Sequence, residues 1–267
     1  MKLNTQTFPE SANFEALSEP PIVIIPGLFG SIANWRSFAK TLSADFPVIV
    51  VDQRNHGQSP HADSNDYFDL ASDLLELLDD YGLDQVHLCG HSMGGKTAMS
   101  FSLLYPERVS SLVVLDIAPV RYSHSHAPFL EELLKVDLSA INSRNEADRA
   151  LREVIPDVST RLFLLQNLTG KAKNYSWRIN IEVLHREMET IVSFPFKELA
   201  DRQNSIKTLI LIGGQSDYVR PEHHKGVKNF FPNAVFEEIA NAGHWIHVEQ
   251  PLAVITSLTN FLKRDKK

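Results

Sequence analysis

The chain has 267 residues, 43% hydrophobic and 22% charged, with a formal net charge of −7. That composition fits a soluble globular protein with a substantial core, and the acidic balance with 26 scattered Lys and Arg argues against a nucleic-acid partner. No apolar run approaches the roughly 18 residues of a membrane span, residues 1–18 lack the basic-then-apolar layout of a secretion signal, and one cysteine, Cys89, excludes an internal disulfide.

A soluble cytoplasmic protein is therefore expected. Along the chain, residues 1–20 are mixed and read as edge strands ending at Pro20-Pro21. Ile22-Val23-Ile24-Ile25 is continuous and apolar, as a parallel strand covered on both faces should be, and it runs into the breaker-rich turn Pro26-Gly27-Leu28-Phe29-Gly30. A helix over Asn34 to Leu42 precedes a second buried strand, Val48-Ile49-Val50-Val51, with Asp52 to Gly57 as its exit loop. Asp66 can cap a helix whose Leu70, Leu74, Leu77 and Leu78 share one face.

The run Val86-His87-Leu88 leads into Cys89-Gly90-His91-Ser92-Met93-Gly94-Gly95 and then a helix-like stretch, Lys96 to Tyr105, stopped by Pro106. Leu112-Val113-Val114-Leu115 follows as another buried strand ending at Asp116. From about Ala118 to Phe196 the rhythm breaks. Phe129 to Val136, Glu146 to Ile155, Thr160 to Asn167 and Ile179 to Ile191 look helical and no strand is evident. Thr208 to Ile212 resumes the sheet, followed by a helix near Glu222 to Phe231, a last strand over Ala234 to Ile239 and a closing helix from Pro251 to Leu262. Short strands alternating with amphipathic helices predict a parallel sheet with helices on both faces.

Gly-x-Ser-x-Gly between a strand and a helix forms a sharp turn that exposes the serine hydroxyl at the top of a sheet. Gly90 and Gly94 give that turn the room it needs. Ser92 is thus a nucleophile candidate, and a hydroxyl at neutral pH needs a base oriented by an acid. His244 follows the last strand, where sites of open α/β sheets collect, and its place after serine and acid matches the order of this arrangement. His247 is the competitor but should already be turning into the closing helix. Two acids qualify, Asp116 after the strand that follows Ser92, and Asp217 after the next-to-last strand. The amides of Leu28 and Met93 are positioned to hold an oxyanion. Cys89 should remain on its strand as a small core residue. His124 and His126 are too few to predict a metal site, and no cofactor or metal is expected. The basic end, Lys263 to Lys267, reads as a solvated tail.

With these residues in view the chain resembles the α/β-hydrolase superfamily. Gly27-Leu28-Phe29-Gly30, Asp52-x-Arg54-Asn55-His56-Gly57-x-Ser59, Gly90-His91-Ser92-Met93-Gly94-Gly95-Lys96 and Asp116-Ile117-Ala118-Pro119 together look like the YbfF-type bacterial esterases, and Trp177-Arg178-x-Asn180 is similar to that group's lid. The resemblance implies a mostly parallel eight-stranded sheet, with residues 1–117 and 197–267 as the core and a helical lid over 118–196. It implies a serine hydrolase of short acyl esters, with acyl thioesters as a second class, and a lid that shapes a tunnel for the acyl chain. The superfamily pattern favours Asp217 as the acid and the closer group favours Asp116, which is preferred with Asp217 as the alternative. The chain departs from the group at Pro26, where His is usual. Phe29, Arg54, Trp177, Arg178, Tyr218 and Trp245 are candidates for the substrate pocket. A carbon–carbon hydrolase or lyase on the same residues, or a non-catalytic ligand-binding protein, are the rival readings, because pocket shape rather than fold selects the reaction.

Overall fold

Two runs of β-branched residues with no polar interruption, Ile22–Ile25 and Val48–Val51, form neighbouring inner strands of the sheet. A computed structural model describes all residues except 13, 15–18, 124 and 264–267. Its strands are β1 (Thr5–Phe8), β2 (Ile22–Ile25), β3 (Val48–Val51), β4 (Val86–His91), β5 (Val109–Leu115), β6 (Leu168–Lys171), β7 (Asn174–Trp177), β8 (Lys207–Gly213) and β9 (Ala234–Ile239). Among the described residues seven of them make one sheet in the order β1-β3-β2-β4-β5-β8-β9. Only β1 runs antiparallel to its neighbour.

Because side chains alternate along a strand, β2 feeds two cores. Val23 and Ile25 join one apolar layer with Leu74, Leu78, Met99 and Val227. Ile22 and Ile24 join the other with Trp35, Phe38, Val254 and Leu258. The first layer is covered by α2 (Tyr67–Asp80), α3 (Met93–Leu104) and α10 (Pro221–Phe230), the second by α1 (Ile32–Leu42) and α12 (Pro251–Lys263). Asp66 caps α2 as expected, its side chain accepting from the Phe68 and Asp69 amides. No helix among the described residues is long and apolar enough to cross a membrane.

Two expectations need correction. The sheet has seven strands among the described residues, not eight. Residues 1–20 supply one strand, ended at Phe8 by Pro9, which lacks the N–H a ladder needs, and residues 13 and 15–18 lie outside the described residues. Between β5 and β8 the chain is not purely helical. It holds α4 (Ala127–Lys135), α5 (Arg144–Leu151), α6 (Val158–Leu165), α7 (Ile181–Arg186), α8 (Met188–Val192) and α9 (Phe196–Leu199), but also the β6–β7 hairpin. That hairpin closes through Ala172-Lys173, with Lys173 at φ +61°, and so lacks the Asn-Gly signal that marks such turns in a sequence. The short α11 (Ile246–Glu249) precedes α12.

The segment between β5 and β8 has its own core, in which Leu130, Leu133, Leu164 and Leu184 pack together with Phe29, Tyr67 and Met93 from the sheet's carboxyl edge. Polar ties fix it there. Tyr67 Oη donates to Ile191 O at 2.6 Å, the Asn180 amide to Asn55 O at 3.0 Å, and Asn167 Nδ2 to Phe29 O at 2.9 Å.

The loop after β3 is a bracket rather than a pocket wall. Asp52 accepts from the Ile32 amide at 2.7 Å, capping α1, and from the Gln58 amide at 2.8 Å. Gly57, at φ +56°, packs so closely that an added Cβ would lie 2.1 Å from Asp52 Cγ. Arg54, expected in the substrate pocket, is instead buried against α2. Its Nε and Nη2 bind Asp73 at 2.6 and 2.8 Å, and Nη1 reaches Asp69 at 2.8 Å. With Nη1 also on Ser64 Oγ at 2.9 Å and Nη2 on Asp69 O at 3.2 Å, all five guanidinium N–H groups are engaged and none is left for substrate.

Replacing Arg54 by Leu should therefore lower the unfolding free energy by about 3 kcal/mol, the low end for breaking a buried pair, since the Met1 amino group also contacts Asp73. Urea denaturation of the variant checks this; an unchanged midpoint would contradict it.

Candidate active site

β4 ends at His91 and α3 begins at Met93, leaving a single residue, Ser92, to reverse the chain. It does so at φ 52°, ψ −122°, a conformation costing of order 1–3 kcal/mol that must be held by its surroundings. The holding is steric and polar. A Cβ on Gly90 would lie 2.2 Å from Gly94 O, and one on Gly94 would lie 2.2 Å from Ile25 O and 2.4 Å from Pro26 O. The Ser92 amide donates to Leu115 O at 3.1 Å, and Ser92 O accepts from the Gly95 amide at 2.8 Å.

His244 lies in the loop between β9 and α11, with Nε2 3.0 Å from Ser92 Oγ and Nδ1 2.8 Å from Asp116 Oδ2. With an ionised carboxylate as acceptor, Nδ1 carries the proton and Nε2 offers its lone pair to the serine hydroxyl. Two contacts hold the imidazole. Tyr218 stacks on it with centroids 3.6 Å apart, and His91 Nε2 donates to His244 O at 2.9 Å.

Asp116 follows β5, at φ +50°, and is fully buried. Its Oδ1 accepts from the Gly213 amide at 2.9 Å and its Oδ2 also accepts from Ser216 Oγ. Burial pushes its carboxyl up to about 6, with the Ser216 and Gly213 hydrogen bonds and the His91 charge pulling the other way. Asp217, next to Ser216, is exposed; its carbonyl accepts from Arg220 Nε at 3.2 Å. The structure thus brings Ser92, His244 and Asp116 together and leaves Asp217 outside. His247 is buried in α11, stacked on Trp35 at 3.9 Å. Cys89 is buried on β4, and burial pushes its thiol up to about 12.

The turn Gly27–Gly30 passes directly over Ser92, since a Cβ on Gly27 would lie 3.1 Å from Ser92 Cβ. Leu28 and Met93 both border the space beside Ser92. Met93 opens α3, where the first amides of a helix have no partner within the helix. A cavity of about 570 Å³ extends from Ser92 and His244 between this turn and the β5–β8 segment. Of the pocket candidates, Phe29, Tyr218 and Trp245 line it, and so do Trp35, Phe129, Leu162 and Phe163, which sequence reasoning missed. Phe163 and Trp245, 5.6 Å apart, meet across it.

Trp177 and Arg178 do not line that cavity, a correction to their expected role. Trp177 pairs with Leu168 in the hairpin. Arg178 borders a separate cavity of about 230 Å³ beside Asp52 and Arg36. Its carbonyl also faces His61 Nε2 at 2.9 Å. Of the histidines considered for a metal, His126 lies between Phe29 and Phe129 and His124 lies outside the described residues. Among the described residues no three His, Cys, Asp or Glu gather in metal-binding proximity.

Comparison with known proteins is consistent over most of the chain. The family described as the alpha/beta hydrolase fold matches residues 20–251. The sn-1-specific diacylglycerol lipase ABHD11 of Mus musculus is 39% identical over 252 residues, covering 91% of this chain and 81% of that protein. Esterase YbfF of Escherichia coli is 35% identical, covering 91% and 92%. A solved structure of a marine microorganism esterase superposes with a TM-score of 0.89 at 36% identity, covering 98% of this chain and 99% of that one.

Because Asp116 binds its proton more tightly when folded than when unfolded, its contribution to stability is present below its unfolded value and lost as pH rises through about 6. The wild type should therefore lose stability relative to Asp116→Asn between pH 4 and 7, read by urea denaturation at each pH. A difference independent of pH would contradict the burial argument.

Proposed function

The chain belongs to the α/β-hydrolase family and is a carboxylic ester hydrolase, and from that premise we propose that Ser92, His244 and Asp116 form a catalytic triad that cleaves short-chain acyl esters through an acyl-enzyme. The observation that carries this reading is the continuous hydrogen-bonded line from Asp116 through His244 to Ser92 Oγ, at 2.8 and 3.0 Å, at the end of an apolar cavity.

His244 Nε2 takes the Ser92 proton as Oγ attacks the ester carbonyl carbon, and the imidazolium formed is held by Asp116. The carbonyl oxygen gains its negative charge against the amides of Leu28 and Met93, which are fixed before the reaction and so need no reorganisation when charge develops. The alcohol departs with the proton from His244. Water, deprotonated by His244, then attacks the acyl-enzyme and releases the acid and Ser92. Every proton moved in this cycle is carried by His244, so no metal or cofactor enters the scheme.

Phe29, Phe129, Phe163 and Trp245 give the acyl chain an apolar wall. Residues 118–196 serve as the lid and residues 1–117 and 197–267 as the core, with Phe129 on α4 and Phe163 from α6 the lid's contribution to the acyl site. Acyl thioesters fit the same scheme, since a thiolate leaves from the same tetrahedral intermediate.

Hydrolysis of p-nitrophenyl esters of graded acyl length by the purified protein tests this. Turnover should be greatest on short chains and abolished in Ser92→Ala. Asp116→Asn should lower kcat by about 10⁴, the loss seen when a triad imidazole is left in the wrong tautomer, whereas Asp217→Asn should stay near the wild-type rate. An inert wild type or an active Ser92→Ala would overturn the esterase mechanism and return attention to carbon–carbon substrates or ligand binding. Equal losses in the two Asp variants would overturn the acid assignment.

A further inference from the structure

Directly behind the turn that carries the Leu28 amide, one buried side chain spans from that turn to the nucleophile's helix. Gln53, 3% exposed in the loop two residues past β3, donates from Nε2 to Pro26 O at 2.7 Å. Its Oε1 accepts from Thr97 Oγ1 at 2.9 Å, and the same hydroxyl lies 3.1 Å from Met93 O. Thr97 is fully buried in the first turns of α3. Pro26 O is also the atom against which Gly94 packs, at 2.4 Å from a would-be Cβ.

We propose that Gln53, together with Thr97, is a positioning residue that sets the spacing and orientation of the two oxyanion donors, Leu28 N–H and Met93 N–H. This rests on the Ser92-centred mechanism above and adds to it a part that none of the triad residues supplies. The turn and the helix come from different parts of the chain; Gly94 lets their backbones touch directly, and Gln53 adds a hydrogen-bonded link across that contact. Gln53 does so with a donor on one arm and an acceptor on the other, a combination that only an amide side chain presents in this fork geometry. Holding Pro26 O fixes the peptide that precedes Gly27. The next peptide, which carries the Leu28 N–H, has its carbonyl held by the Gly30 amide at 3.0 Å. In a trans peptide the N–H points opposite to the C=O, so anchoring these two carbonyls directs the Leu28 N–H away from the turn's interior. At the helix end, the shared Thr97 hydroxyl ties the same Gln53 oxygen to Met93 O, the carbonyl of the residue whose N–H, one peptide earlier, is the second donor. The far side of the turn is held by Asn167, which donates to Phe29 O.

The alternative is that Gln53 only satisfies buried polar groups. The two roles differ in what the loss of Gln53 disturbs, transition-state charge or the fold as a whole. The test compares Gln53→Met, Thr97→Val, Thr97→Ser and the Gln53→Met/Thr97→Val double variant on p-nitrophenyl butyrate. Each is also titrated with an alkyl trifluoromethyl ketone of the same chain length, whose adduct with Ser92 places an oxyanion between the two amides. Misplacing donors without removing them should lower kcat by about 10- to 100-fold with KM changed by less than about threefold. Ketone affinity should fall by a similar factor whatever the fall in the thermal midpoint, and Thr97→Ser should regain most of the rate. The double variant should be no worse than the poorer single one, because both substitutions cut the same link.

Near wild-type kcat in folded Gln53→Met or Thr97→Val would overturn the positioning role. So would a loss of kcat that follows the thermal midpoint while ketone affinity is kept. If Gln53→Met does not fold, Thr97→Val, the smaller change, decides between the two roles. Ser92→Ala is run alongside. A silent Gln53→Met beside an inactive Ser92→Ala overturns this role alone, and an active Ser92→Ala overturns it together with the mechanism on which it rests.

Discussion

The approach of the first turn of α3 to the end of β2 is the contact on which the rest of the site depends. Two hydrogen-only positions make it possible, since a Cβ on Gly94 would overlap the Ile25 and Pro26 carbonyls and one on Gly90 would overlap Gly94 O. Only with that contact closed can a serine be held at φ 52° between a strand and a helix, where its hydroxyl clears the sheet. The same contact brings the Leu28 turn and Met93 to the space beside Ser92. On the proposed mechanism, nucleophile and oxyanion donors both depend on this one contact, and a substitution that opens it should damage both together.

Burial supplies the second constraint. Asp116 sits fully buried and is kept usable by three donors, the Gly213 amide, Ser216 Oγ and His244 Nδ1. In so dry a place the carboxylate would strongly favour a positive charge on the imidazole beside it, because charge–charge attraction grows as the effective dielectric falls. Lys96 shows the same economy in the scaffold. Four residues after Ser92, it is 1% exposed, and its Nζ donates to Val192 O at 2.8 Å and Ser193 O at 2.6 Å. Burial pulls its ammonium down to about 7. It fastens the returning end of the β5–β8 segment to the helix that carries the nucleophile, so the cavity roof and the reactive serine share one anchor.

The parts of this arrangement readable from sequence are those with local causes. Uninterrupted β-branched runs mark β2 and β3 to the residue, Asp66 announces the start of α2 by its capping chemistry, and the glycine spacing around Ser92 marks the elbow. Where the cause is a distant partner, the sequence is silent. Asp116 and Asp217 both follow strands, and the difference between them lies in the pairing of β5 with β8. That pairing sets the Asp116 amide on Leu211 O at 2.8 Å and turns its side chain inward, while Asp217 is carried past the edge. Arg54 belongs to a motif shared with hydrolases, yet its partner, Asp73, is on the inner face of α2. Gln53 lies between Asp52 and Arg54 of that same motif, and only the fold shows that it reaches both Pro26 and Thr97. The β6–β7 hairpin turns through Ala172-Lys173, which no turn preference flags.

The most direct test of the central claim is covalent labelling with diethyl p-nitrophenyl phosphate followed by peptide mass spectrometry. The expected result is release of one equivalent of p-nitrophenol per chain, a diethyl phosphate on the peptide that contains Ser92, and loss of esterase activity in proportion, with no labelling of Ser92→Ala. Labelling at another residue, or esterase activity that survives full labelling of Ser92, would contradict the assignment of Ser92 as the nucleophile.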